Sequence, residues 1–445
     1  MSFWYGLNGT GVTIANLEGG SPDSWANLVP TGSCTTNKCA CVNGKTGPHS
    51  RTTQGVMRNA VTTWRGSASD ATVLAANFDE AVGCSFTAAV NWAVGKGANV
   101  FSRSGRCDCV SDWPHLPTCT NPGRLLDYVA TVSPYPLVAC ASGNALPVSQ
   151  GGDGEGSDED SKAAVYNGIG VTGAEPDTAS RAALTRYVPG QTQNRVGGAN
   201  GWELPGIAAP ARNLDTAGMN PGQVDQVSAT SAATPVVAGI AASMMELNPA
   251  VKVRPEVLIP GLMVSADENV DDDLGGVWPM NLHDGRDDHD GAGVVNAVGA
   301  YWVLRPAAKM NGGNTAVPYG HDFGGVTSAG LPQGQWYGEI WNASVPAGAT
   351  LRVGLMLMAK ATCGSPATQT NCNPQTHPFA WLAFTRNGSS VSGSANAYNN
   401  IQFAGYKNTS GATETIQIKF MVLDWNGITS PTYWGIAWTA QGTGN

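Results

Sequence analysis

Apolar positions along the 445-residue chain fall into two regimes. Between Val236 and Leu247 only Gly239, Ser243 and Glu246 interrupt a run of Val, Ala, Ile, Met and Leu, which predicts a helix buried on nearly every side. Pro235 belongs near the start of such a helix, where its missing N–H is no loss, so Ser231 is expected at or just before the N-terminus. Val12 to Leu17 is a short apolar run that ends on Glu18-Gly19-Gly20 and reads as a buried strand closing on a carboxylate. Further strand signals lie at 71–78, 99–102, 137–141, 169–172 and 203–208, with helical spacing at 51–64, 85–94 and 125–131. This alternation predicts an α/β fold, a parallel sheet flanked by helices. Ligands of such sheets gather at the carboxyl ends of the strands, where Glu18, Ser102 and Asn144 are expected to emerge.

After Arg305-Pro306 the helical period disappears. Strand-like runs at 336–341, 351–358, 380–384, 416–422 and 433–439 are separated by Gly, Asn, Ser and Thr, the pattern of an antiparallel β-sandwich. The expected division is therefore 1–305 for the α/β part and 306–445 for a jelly-roll-like sandwich, with Trp336, Trp341, Trp381 and Trp434 in its core rather than on a carbohydrate platform.

Composition narrows the function classes. A hydrophobic content of 42% with 13% charged residues describes a well-buried globular protein, and 57 glycines imply many tight turns. A net charge of −9 argues against a nucleic-acid partner, which needs a basic face. No run of 18 apolar residues is present, so no membrane span is expected. Met1 to Gly6 lack the basic and apolar regions of a signal peptide, while ten cysteines in mostly polar segments suit an oxidising compartment. The expectation is a secreted monomer in mature form, lacking signal peptide and prodomain. Cys363 and Cys372 form the clearest local disulfide, and Cys34, Cys39, Cys41 and Cys107, Cys109, Cys119 are each expected to contain one more. Their spacings do not suit structural zinc. Cys84 and Cys140, in apolar surroundings, read as buried free thiols.

A serine at the start of a buried helix is either an N-cap or a nucleophile beside free N–H groups that can stabilise an oxyanion. Ala-Thr-Ser-Ala-Ala-Thr-Pro-Val-Val-Ala-Gly, 229–239, resembles the nucleophile block of subtilisin-like serine proteases, departing at Ala229 for Gly, Ala232 for Met and Val236 for His. The other blocks follow in that family's order. Gly9 to Gly19 resembles the strand whose terminal Asp orients the catalytic His, with Glu18 at that position and Asp23 similar to the Pro-Asp that follows. His49 and Gly55 match the His block, and Val138 to Asn144 resembles the segment whose Asn donates to the oxyanion. Ala98 to Gly105 resembles the Ser-Leu-Gly-Gly edge that pairs with substrate backbone, Arg103 replacing the usual Leu.

The resemblance implies a serine endopeptidase with Ser231 as nucleophile, His49 as base, Glu18 as orienting acid and Asn144 in the oxyanion hole. It implies substrate contacts at Ser102, Arg103, Ser104, Gly105, Ala141, Ser142 and Gly143, with protein or peptide substrates and no cofactor for the chemistry. Residues 151–160 carry Asp153, Glu155, Asp158, Glu159 and Asp160, readable as a solvated run, a calcium site or an acidic wall of the substrate site. Arg103 would oppose such a wall, so broad specificity with a modest electrostatic bias is expected. A second acidic group, Asp271, Asp272, Asp273, Asp284, Asp287, Asp288 and Asp290, precedes a Gly-x-Gly element similar to the one opening the last subtilase helix; a structural calcium at Asp284, Asp287, Asp288 and Asp290 is one reading and a solvated run the other. Two rival functions remain at this level. A catalytically impaired subtilase-fold peptide-binding module would account for Glu18 and the thin His block, and a lectin-like protein would rest on the Trp-rich C-terminal part.

Overall fold

A computed structural model describes residues 6–29, 32–61, 65–105, 109–110, 118–119, 121–143, 165–176, 187–189, 206–267, 291–313, 315–364, 372–373, 376–397 and 399–441. The first apolar run is strand β1 (Thr13–Glu18), followed by helix α1 (Pro48–Met57), β2 (Thr72–Asn77), α2 (Phe86–Gly95), β3 (Val100–Arg103), α3 (Asn121–Ala130), β4 (Leu137–Ala141), β5 (Gly168–Pro176) and β6 (Ile207–Pro210). These strands form one sheet in the order β2-β1-β3-β4-β5, with β6 and the antiparallel segment Tyr187–Pro189 both on the far side of β5. The pairs among β1 to β6 are all parallel. The order reverses between β1 and β3, which opens a crevice at their carboxyl ends.

A hairpin of β7 (Leu214–Ala217) and β8 (Val224–Val227) leads into α4 (Thr230–Leu247), the long apolar helix. Fourteen of its residues are buried, as its all-round apolar pattern demands. It starts earlier than Pro235 suggests: the proline lies inside the helix, and Ser231 is the second helical residue. Two more helices, α5 (Pro255–Val264) and α6 (Ala297–Leu304), close the helical layers. Every residue of α5 is buried, although Pro255 and Pro260 obscured its helical pattern in the sequence.

Beyond α6 lie β9 (Tyr319–Val326), β10 (Trp341–Val345), β11 (Thr350–Leu357), β12 (Phe379–Arg386), β13 (Ser389–Ser394), β14 (Ile401–Lys407), β15 (Glu414–Asp424) and β16 (Thr432–Gln441). They make two sheets, β10-β15-β12-β13 with Ala316–Val317 on its edge, and β9-β16-β11-β14. Trp341, Phe384, Phe420, Trp434 and Trp438 fill the space between them. Trp381 and Trp336 do not: alternation along β12 turns Trp381 outward, where it meets Trp336, 37% exposed, at 5.2 Å between ring centroids. The expected strand at 336–341 begins only at Trp341, Trp336 making a single bridge to Met421.

The sandwich is fused to the α/β part rather than tethered beside it. Helix α5 packs on β11 and β16, and Met356, Phe403 and Ala437 belong to the same apolar core as Val257, Leu258 and Leu262. The contact is close enough that a Cβ on Gly435 would stand 2.3 Å from the Glu256 carbonyl oxygen. Among the described residues, no helix is long and apolar enough to cross a membrane.

The cysteine expectations need correction. Cys34–Cys39 and Cys363–Cys372 are disulfides as anticipated, but Cys84 pairs with Cys41 and Cys140 is also disulfide-bonded, so neither is a free thiol. The Cys84 turn before α2 folds back to within 5.8 Å, Cα to Cα, of a loop 43 residues earlier, a proximity that local hydrophobicity could not reveal. Cys109 and Cys119 face each other across a two-residue antiparallel ladder; Cys107 lies outside the described residues.

Candidate active site

Glu18 closes β1, the strand next to the β2 edge of the sheet, paired there with Asn77 of β2, and the residue is buried at 4% exposure. The next segment returns along this edge through a short parallel bridge, Ser21–Pro22 against Thr46–Gly47, and Pro48 then starts α1. Proline is favoured in a first helical turn. His49 therefore sits in that turn, one residue inside the helix rather than ahead of it, and its Nδ1 lies 3.1 Å from Glu18 Oε2. An Nδ1 proton donated to the carboxylate leaves Nε2 as the basic nitrogen. The hydrogen bond to Glu18 raises the pKa of His49 above the ordinary imidazole value; burial opposes this, Glu18's charge adds to it, and the positive charge of Arg103 opposes it.

Helix α1 is unusual in burying polar residues on several sides, from Ser50 to Gln54. Arg51 accounts for part of this. Its guanidinium donates to Asp23 Oδ1 at 2.7 Å, to the Ala217 carbonyl at 2.6 Å and to Asp225 Oδ2 at 3.1 Å, fastening the His49 helix to the β7–β8 hairpin. Asp23 is thereby committed to Arg51. On the other side Asn16 Nδ2 donates to the Ser50 carbonyl, and Thr53 Oγ1 reaches Glu18 Oε1 at 3.5 Å.

The loop entering α1 is anchored from behind. The Asn77 side chain accepts from Cys41 N at 3.1 Å and donates to Cys41 O at 2.7 Å, while Cys41 bonds to Cys84. A disulfide of this separation is worth about 4 kcal/mol in the chain-entropy account. Replacing both cysteines by serine is accordingly expected to lower stability by about 2–4 kcal/mol in reversible denaturant unfolding; a loss below about 0.5 kcal/mol, within the range of ordinary surface changes, would contradict the anchoring role.

Ser231 lies at the N-terminus of α4, where the first N–H groups have no helical acceptor. The chain arrives through Ala229 at φ 69° and ψ −170°, a positive φ that explains why glycine suits this position and that strains an alanine by about 1–3 kcal/mol. The Ser231 hydroxyl donates to the Ser104 carbonyl at 3.3 Å, not to the His49 ring. Thr230 Oγ1 donates to the Gly143 carbonyl at 3.4 Å, which ties the start of α4 to the end of β4. Asn144, the next residue, lies outside the described residues, as do Asp284, Asp287, Asp288, Asp290 and residues 151–160.

The expected substrate contacts divide. Ser102 is fully buried in a strand paired with both β1 and β4, so it offers no open edge; free backbone can begin only after Arg103, at Ser104 and Gly105. Ala141 and Ser142 are buried at the end of β4, Ser142 N donating to the Val171 carbonyl, and Gly143 has a positive φ of 97°. Arg103 lies inward: Nη1 donates to the Leu17 carbonyl at 3.1 Å, and the guanidinium sits 5.1 Å and 5.8 Å from the centroids of Phe78 and Phe86. The residues missed in the sequence are Arg51, Asp225, Asn77 and Asn16. Only the isolated arginine in an otherwise neutral helix, at Arg51, was a signal that could have been used.

The model of the subtilase family matches residues 20–299. The chain belongs to the subtilase family. It is a serine endopeptidase, acting on proteins or peptides, and the match begins two residues after Glu18. Among solved structures it is similar to fervidolysin from Fervidobacterium pennivorans, a keratinolytic enzyme related to subtilisin, at 14% identity over 93% of this chain and 60% of that one, TM-score 0.47. It is also similar to a serine protease of Aeromonas sobria, at 12% identity over 98% of this chain and 89% of the other, TM-score 0.47. The prenylagaramide maturation protease PagA aligns at 19% identity over 66% of this chain and 94% of its own, TM-score 0.44. No curated protein matches the chain.

Proposed function

We propose that this subtilase is a secreted endopeptidase whose triad is Ser231, His49 and Glu18, with Asn144 and the α4 N-terminus as oxyanion donors. The observation that carries the reading is the contact of 3.1 Å between His49 Nδ1 and the buried Glu18 carboxylate, with Asp23 engaged by Arg51 instead. A carboxylate there fixes the imidazole tautomer and stabilises the imidazolium formed during reaction. Ser231 Oγ, turned about χ1 from the Ser104 carbonyl towards His49, attacks the peptide carbonyl carbon while its proton passes to Nε2. Collapse of the tetrahedral intermediate breaks the C–N bond, and the same proton leaves with the amine. Water then repeats the sequence on the acyl-enzyme. Such hydrogen bonds are commonly long in the free enzyme and tighten with substrate bound.

Peptide backbone would be gripped at Ser104 and Gly105 by strand addition, which demands little of side-chain identity and supports broad specificity. Arg103, whose guanidinium donates to Leu17 and packs on the two phenylalanines, is not used as a donor to an acidic substrate side chain in this reading. Secretion is supported by the disulfides, which persist in oxidising compartments. Calcium enters only as a structural ion proposed for Asp284, Asp287, Asp288 and Asp290, and no chemical step depends on it.

A fluorophosphonate probe tests the nucleophile: labelling is expected on Ser231 and is expected to vanish in folded His49→Ala. Glu18→Gln keeps the size and removes the charge, so turnover is expected to fall by about 10³–10⁴, as for the corresponding change in serine proteases, whereas Asp23→Asn acts only through Arg51 and should lose far less. The opposite ranking would move the acid role to Asp23. Absence of labelling in the folded wild type would favour the peptide-binding module.

A further inference from the structure

The end of β3 brings a second charged group to the catalytic pair. Arg103 is the last residue of the strand adjacent to β1; its Nη1 donates to the Leu17 carbonyl, one residue before Glu18. Its neighbour Ser104 accepts from the Ser231 hydroxyl. The guanidinium is seated on Phe78 and Phe86, themselves edge-to-face at 5.3 Å, so its direction is set by packing as well as by the hydrogen bond. A Cβ on Gly105 would come within 2.9 Å of the guanidinium carbon, so the loop leaving β3 is also shaped around this side chain.

We propose that Arg103 is a positioning residue of the catalytic pair, holding the carbonyl that precedes Glu18 and setting a positive charge beside the Glu18–His49 contact. The proposal rests on the triad reading above. Its physical content is a balance. A buried carboxylate alone stabilises imidazolium, which would leave too much of the base protonated and idle in mildly acidic solution. Arg103 acts in the opposite sense on His49 and returns part of that shift, while its planar fork keeps the strand end from moving when charge develops on the imidazole.

The other charged groups are already placed. Arg51, on the His49 helix itself, is paired with Asp23 and with Asp225 of the hairpin, and in the loop before α1 the Asp79 carboxylate accepts from the backbone N–H groups of Lys45 and Ala81. Asp215 of the hairpin accepts from the Gln226 side chain. Helix α4 brings no charge to this end, its first turn carrying no acidic residue and its sequence from Thr230 to Met245 being uncharged. Among the described residues, Glu18 and Arg103 are therefore the charges set against the imidazole.

Arg103→Met keeps the aliphatic stem on the phenylalanines and removes both charge and donor; Arg103→Lys keeps the charge and loses the fork. His49 is followed by its imidazole NMR titration in a Ser231→Ala background, and the acid limb of kcat/KM in the active enzyme. With methionine, the imidazole titration and the acid limb are both expected to rise by about 0.5–1 pH unit, the scale of one partly screened charge at close range. The plateau above the limb is expected to fall several-fold. Lysine should restore the limb and leave the plateau low. An unmoved His49 titration in folded Arg103→Met overturns the proposal whatever happens to turnover. Should methionine prevent folding, lysine decides alone: a plateau equal to wild type overturns the carbonyl-holding role. Glu18→Gln in the same background separates the two readings, because failure of that change to lower the His49 titration removes the triad assignment and not the effect of Arg103.

Discussion

Ser231→Ala is expected to lower kcat for peptide hydrolysis by about 10⁴–10⁶ while leaving the fold and its unfolding midpoint unchanged, because one attacking oxygen is removed from a helix start that alanine tolerates. The hydroxyl's hydrogen bond to Ser104 is a weak, partly buried contact at 3.3 Å, so its loss costs about 1 kcal/mol at most. His49→Ala is expected to lose a similar amount, and the double variant no more than either alone, since nucleophile and base act as one unit. Losses that multiplied would show two groups working separately, and residual turnover above about 10⁻³ of wild type would remove Ser231 from the nucleophile's role. Active-site titration beforehand ensures that traces of wild-type enzyme are not read as residual activity.

The elements bearing the site were legible where one physical signal was enough. Strand β1 is an apolar run stopped by a carboxylate and two glycines, and α4 is apolar all round, so Glu18 and Ser231 could be placed at element ends without tertiary knowledge. Asp23 against Glu18 was not decidable in sequence: the choice depends on Arg51, whose third partner, Asp225, is 174 residues away. The helical spacing read at 51–64 lies mostly beyond Met57, where α1 ends, and the buried polar face of α1 gave no apolar signal of its own because ion pairs and hydrogen bonds hold it to the hairpin. Ala229 looked like a mere departure from glycine. Its positive φ shows that the position still has the conformation for which glycine is preferred. In the sandwich, β13 (SSVSGS) escaped notice because it packs few apolar side chains and exists through its ladder with β12.

The contact between the α/β part and the sandwich sets the other large expectation. Arg352, on β11, is 0% exposed, donates to the Ala266 carbonyl at 2.6 Å and to the Ala292 carbonyl, and stacks 5.3 Å from the Phe403 ring centroid. Those carbonyls lie just after α5 and just before α6. Between them, Asp267 and Val294 exchange backbone hydrogen bonds at 2.8 and 2.9 Å, and Asn296 Nδ2 holds Asp267 at 2.7 Å. A fully buried guanidinium is tolerable only while it is hydrogen-bonded, and the carbonyls it serves belong to buried residues, Ala266 and Ala292, that would be left without this donor. Arg352→Met fills much of the same volume but leaves both acceptors unpaired, so a loss of about 3–5 kcal/mol is expected, with the relief of burying a charge offsetting only part. Arg352→Lys should recover little, since one ammonium on a flexible stem cannot reproduce the fork. Arg386→Met is the matching control: its pair with Glu414 is at the surface, with Arg386 45% exposed, and a far smaller loss than in Arg352→Met is expected. Denaturant unfolding followed by both intrinsic tryptophan fluorescence and peptidase activity reads the comparison. Coincident transitions that move together in Arg352→Met would mark the sandwich as part of the catalytic unit's own core. A shift under about 1 kcal/mol, or a fluorescence transition separating from the loss of activity, would mean that the two parts stand independently and that Arg352 is incidental to the site's stability.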